Sequence, residues 1–144
     1  MDDIDKECRS LNVSLFQCLA DFDPNDIEMC VGQLLFALGF KSKLEGTQFL
    51  RRAIVFVYDK GEEARINYGK EVYVAVAEKM RISTHCVERA IHNTIADCDI
   101  NGNLRTMGQA LWGDKKVDYT PSNAEFISAI VEFINVKKPA TPEK

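Results

Sequence analysis

The most informative pattern of apolar and polar positions lies between residues 74 and 98. At about 100° per residue, Val87, Ala90, Ile91, Thr94 and Cys98 share one arc of a helix, and His85, Glu88, Arg89, His92 and Ala96 share the opposite arc. Just upstream, Val72, Val76 and Met80 recur at helical spacing over residues 70–80. Residues 81–83 leave room only for a tight turn between the two helices. Helices joined this way cross steeply, so a small residue is needed where their backbones approach, and Ala77 supplies it. Met80 and Ile82 flank the turn on its inner side, and the hydroxyl of Ser83 or Thr84 can accept a bond from the orphan amides of the second helix. The pattern predicts a helix-turn-helix whose polar arc is free to meet base edges in a major groove. The turn has Arg81 where glycine is common, so Arg81 is expected near the left-handed conformation. An amphipathic hairpin with no nucleic-acid role shows the same alternation, so the pattern alone leaves both readings open.

The rest of the chain also reads as helix. Ile4, Cys8, Leu11, Leu15, Cys18, Leu19 and Phe22 follow spacings of three and four, which predicts an amphipathic helix over 11–22. Its apolar side either packs on its own domain or serves a partner. Asp23, Pro24 and Asp26 form a helix start, with Asp23 as cap, and Gly39 is expected to close that helix as a left-handed cap. Ser42 and Glu45 have capping-box spacing and open a second helix to about Tyr58, with Phe49, Leu50, Ala53, Ile54 and Val57 buried. Its Arg51 and Arg52 point elsewhere, toward solvent or a phosphate. Residues 62–69 read as a loop, and 103–111 as a helix after the Asn101-Gly102 turn signal. Trp112 is expected to pack beneath the following loop, which carries Lys115 and Lys116. A last helix begins near Thr120, Pro121 or Ser122, with Glu125 closing a second capping box and Phe126, Ile127, Ile130, Val131 and Ile134 facing the core. Residues 137–144, with two prolines, are expected to be a disordered tail. The organisation expected is an acidic, partly helical extension over 1–23, a helical domain over 24–136, and the tail.

Three stretches resemble one known family in collinear order. These are Leu38-Gly39-Phe40 with Gly46 and Phe49-Leu50-Arg51-Arg52-Ala53-Ile54; Ala77-Glu78-Lys79 with Val87-Glu88-Arg89-Ala90-Ile91; and Pro121-Ser122-Asn123-Ala124-Glu125-Phe126-Ile127. They are similar to the C-terminal effector domain of the master sporulation response regulator of endospore-forming Firmicutes, over about residues 27–136. The resemblance implies an all-α, six-helix domain that binds a short box of double-stranded DNA through its fourth helix, with members often acting as head-to-tail pairs on tandem boxes. Glu88 and Arg89 match family residues that contact the box. His92 stands where the family has a base-reading arginine, Cys86 where it has another arginine, and Asn93 where it has a histidine. DNA binding is therefore expected with an altered box and lower affinity, since arginine makes the strongest bidentate contacts. The DNA-facing set is Lys79, Ser83, Thr84, His85, Glu88, Arg89, His92 and Asn93. Of these, Glu88, Arg89 and His92 would read bases, and Lys79, Ser83 and Thr84 would position the backbone. The residues ahead of the resemblance are fewer than the roughly 50 that a small domain needs, so no receiver domain, and no control by aspartate phosphorylation within this chain, is expected.

Charge changes this picture only in its distribution. The net charge is −4 over 144 residues, which at first argues against a polyanionic partner. Residues 1–30 hold eight acids and two bases, however, so the remainder is mildly basic. An apolar fraction of 46% and a mean hydropathy of −0.19 are those of a globular chain large enough for a core. No apolar run is long enough to span a membrane, and the acidic start lacks the apolar stretch of a signal peptide. Five cysteines without framework spacing fit reduced thiols in a cytoplasm. No phosphate-binding glycine loop or hydrolase signature occurs, so no enzyme activity and no cofactor are expected. His85, Cys86, His92 and Cys98 are the nearest approach to a metal cluster, but helical geometry turns Cys98 away from both histidines, so no metal is expected. The competing reading is a protein-interaction module that kept the fold and antagonises a regulator or an RNA polymerase sigma subunit. The lost arginines and the acidic extension motivate it, with residues 1–22 as a possible arm over the fourth helix.

Overall fold

The computed structural model describes residues 24–60, 70–101 and 120–137, and their regular structure is entirely helical. A single 3-10 turn, Pro24–Asp26, leads into α1 (Ile27–Leu38); α2 (Glu45–Lys60), α3 (Glu71–Met80), α4 (Thr84–Asn101) and α5 (Asn123–Lys137) follow. The expected helix over 103–111, and with it the six-helix count, lies outside the described residues. So do the extension over 1–23, the loop over 62–69, Trp112, Lys115, Lys116 and the tail beyond 137. No described helix is long and apolar enough to cross a membrane.

The ends of α1 show how local sequence sets an element. The cap is Asp26, whose carboxylate accepts from the Met29 amide at 3.3 Å; Asp23, the cap expected from sequence, precedes the 3-10 turn that contains Pro24. At the other end Gly39 adopts φ 94°. Its amide donates to the Phe36 carbonyl, and the Phe40 amide donates to that of Leu35, both at 3.0 Å. This six-to-one closure drives Phe40 inward, where its ring meets Phe126 of α5 at 5.2 Å between centroids.

α2 runs through the middle and touches each of the four other described helices. Phe49, Leu50, Ala53, Ile54 and Val57 are buried along it, as their spacing predicted. Its start differs from expectation. Glu45 is the first helical residue, so Ser42 and Glu45 do not occupy the two ends of a capping box, and Gln48 instead donates through Nε2 to the Ser42 carbonyl at 3.1 Å. At the second position of α2, Gly46 lies against α4 so closely that a Cβ there would overlap the Ala90 carbonyl oxygen. Beside it, the buried hydroxyls of Thr47 and Thr94 are hydrogen-bonded at 2.9 Å. Close approach and a shared hydroxyl pair thus fix where α4 crosses α2.

α5 presents Phe126, Ile127, Ile130, Val131 and Ile134, all fully buried, to the core. Its N-terminus is a true capping box. The Glu125 amide donates to Ser122 Oγ at 3.1 Å, and the Ser122 amide donates to Glu125 Oε1 at 3.2 Å.

Candidate nucleic-acid interface

The junction of α3 and α4 is built by two interlocking end signals. Arg81 has φ 58° and ψ 45°, the left-handed conformation that its place in the turn requires. Its amide donates to Glu78 at 3.4 Å, and the Ile82 amide reaches back to Ala77 at 3.1 Å. These bonds satisfy the last carbonyls of α3 and reverse the chain within three residues. The residue that caps α4 is Ser83, whose Oγ accepts from the Cys86 amide at 3.1 Å, while its carbonyl accepts from Val87 at 3.2 Å. Ala77 is buried beside the turn, as the need for a small residue predicted.

α4 then divides into two faces. Val87, Ile91, Ile95 and Cys98 are fully buried, and Thr94 nearly so. The Cys98 thiol donates to the Leu38 carbonyl at 3.3 Å, well inside the core and away from both histidines. Ile95, also on this face, was missed by the sequence reading and completes the seam. On the other side His85, Cys86, Arg89, His92 and Asn93 are exposed. Glu88, Ala90, Ala96 and Thr84 are half-buried. Glu88, expected on the outward arc, is half-buried where α5 packs beside it, and Asn123 Nδ2 donates to its backbone carbonyl at 3.0 Å.

Between the exposed face of α4 and the start of α5 runs an open groove of about 820 Å³. His85, Glu88, Arg89 and His92 line one wall, and residues 120–125 line the other, with Tyr73 between them. Burial pushes the Tyr73 hydroxyl above its ordinary pKa; a hydrogen bond from Asn123 opposes this in part, and the Glu88 carboxylate adds a smaller push upward. Asn123 Oδ1 is buried and has no hydrogen-bond partner among the described residues. Thr120 Oγ1 donates to Asp99 Oδ2 at 2.6 Å, which ties the approach to α5 to the last turns of α4.

The other expected DNA-facing residues are more dispersed. Ser83 and Thr84 sit at the α4 N-terminus, with Ser83 Oγ engaged as the cap. Lys79 is exposed but lines a different groove, with Arg52, Phe56 and Glu28. Arg51 and Arg52 are half-buried; Arg51 lies over Gly32 of α1 and donates through Nη2 to Gln48 Oε1 at 2.9 Å. Both turn toward the α1 side and away from the exposed face of α4.

A family model described as "Sporulation initiation factor Spo0A C terminal" matches residues 31–134, which takes in all of α2, α3 and α4 and most of α1 and α5. The chain belongs to this family. Its members are DNA-binding regulatory domains of sporulation rather than enzymes. Membership makes this chain a DNA-binding regulator in general terms. Sequence reasoning overlooked Gly46 and Asn123 as positioning residues for α4. Gly46 carried a signal, since a glycine at the second position of a strong helix needs a reason. Asn123 carried none, because its partner lies 35 positions away.

Proposed function

We propose that α3, the turn over 81–83 and α4 form a helix-turn-helix, and that this chain uses it to read a short box in the major groove of double-stranded DNA. The supporting observation is the sidedness of α4: Val87 and Ile91 are fully buried while Arg89 and His92, on the opposite arc, stand in solvent. Arg89, His92 and Glu88 contact base edges, joined by His85 and Asn93, and Ser83, Thr84 and Lys79 settle the backbone. Because Glu88 is half-buried beside the start of α5, its carboxylate serves the margin of the contact and the exposed Arg89 its centre. The rim over 120–125 borders the same groove and lies beside the sugar-phosphate chain when α4 is seated. The domain over 24–136 acts in the cytoplasm, where the chromosome lies. Pairs of chains on tandem sites, and contact with a polymerase sigma subunit, complete the reading.

In vitro selection from a random duplex library tests it. The expected outcome is enrichment of one short box whose binding weakens steeply with salt. Retention of all sequences alike, or of none at low salt, contradicts it and favours the protein-interaction module.

A further inference from the structure

α1 leaves an apolar stripe uncovered. Its inner face is fully committed to the core, yet Phe36 is 76% exposed and Met29 58%. With exposed Gln33 between them, these residues lie along one outer face, seven positions apart. A phenylalanine and a methionine on one line are an unusual pair to leave in water. We propose that residues 11–22 fold back along this face as an antiparallel helix, making an αα-hairpin with α1.

Four observations select this occupant. First, the segment belongs to the same chain and ends where α1 begins. The intervening residues 23–26 include the 3-10 turn Pro24–Asp26, and four residues suit a helix-to-helix connection. Second, the lengths agree: α1 has 12 residues and 11–22 spans as many, each about 18 Å as helix. Third, the registers agree. Antiparallel return sets Leu19 and Phe22 against Met29, and Leu11 and Leu15 against Phe36, so the apolar arc of the segment meets the apolar stripe of α1. Fourth, the charges agree. The same return carries Asp2, Asp3, Asp5 and Glu7 past the end of α1, where Lys43 is exposed beside Lys41, itself paired with Asp97 at 3.3 Å. The segment therefore shields α1 and leaves the exposed face of α4 open, so it is a structural strap and not an arm over the DNA-facing side.

Directed cross-linking in the full chain tests this, using Gln33→Cys in a Cys8→Ser, Cys86→Ser background so that Cys18 is the thiol across the hairpin. Gln33 is exposed, and Met29 and Phe36 stay in place. With oxidised glutathione, the expected product is a monomer whose peptide map contains a disulfide from Cys18 to the introduced thiol. Adding Leu15→Asp and Leu19→Asp is expected to slow its formation about tenfold or more, because charges cannot enter an apolar seam. A disulfide-linked dimer overturns the proposal in favour of a second copy on this face. An unlinked chain overturns it, and so does linkage at the same rate in the Leu15→Asp, Leu19→Asp variant, which reports a tether colliding at random.

Discussion

Gly46 and the Thr47–Thr94 pair set where α4 crosses α2, and each can be perturbed alone. Gly46→Ala gains helix propensity of about 1 kcal/mol but drives a methyl group into the Ala90 carbonyl oxygen. Overpacking against backbone costs more than propensity returns, so a net loss of about 1–3 kcal/mol is expected in urea unfolding. Thr94→Val keeps the shape and removes one partner of the Thr47 hydroxyl, for an expected loss of about 1–2 kcal/mol. Replacing Thr47 by valine as well is expected to recover part of that loss, because no hydroxyl is then left unpaired. A double-mutant cycle measured by the same unfolding curves checks this; additive losses contradict it. Tyr73 gives a pH dependence. Its pKa is raised in the folded state, so its contribution is fully present below its ordinary value of 10.0 and is lost as pH rises from there through the raised value. Relative to Tyr73→Phe, the wild-type protein is expected to lose stability selectively above that pH.

Among the elements, the junction of α3 and α4 is where local signals act together. Arg81 holds a left-handed conformation that costs a non-glycine residue about 1 kcal/mol. Arg81→Gly relieves that cost but loosens the unfolded chain, so thermal unfolding is expected to shift only slightly. Ser83→Ala removes the α4 cap and is expected to lower stability by about 1 kcal/mol, with fraying at the first turn of α4 seen in amide exchange. Much of this was legible in the sequence. Helical spacing gave the buried faces of α2, α4 and α5 because each is strongly one-sided, and Gly39 and the Ser122–Glu125 box announced their ends. The start of α1 was misassigned to Asp23, since Asp23 and Asp26 both lie near Pro24 and sequence alone does not reveal that the first turn is 3-10. The half-burial of Glu88 escaped too, because it reflects the packing of α5, an element distant in sequence, beside α4.

For the whole molecule, helices around α2 hold one face of α4 inward and leave the other at the rim of an open groove. Family membership places this architecture among DNA-binding sporulation domains, and the resemblance read in the sequence sets His92 and Cys86 where arginines are expected. His92→Arg is accordingly expected to tighten DNA binding, since a guanidinium offers a bidentate contact that one imidazole cannot. The claim on which the rest depends is that Arg89 contacts DNA and not protein. Its most direct test is fluorescence anisotropy of the selected duplex with wild-type protein and Arg89→Ala at one fixed salt concentration, with circular dichroism confirming an unchanged fold. The account predicts a loss of about 1–3 kcal/mol in specific binding at unaltered melting temperature; equal affinities, or a variant that loses binding only because it unfolds, would contradict it.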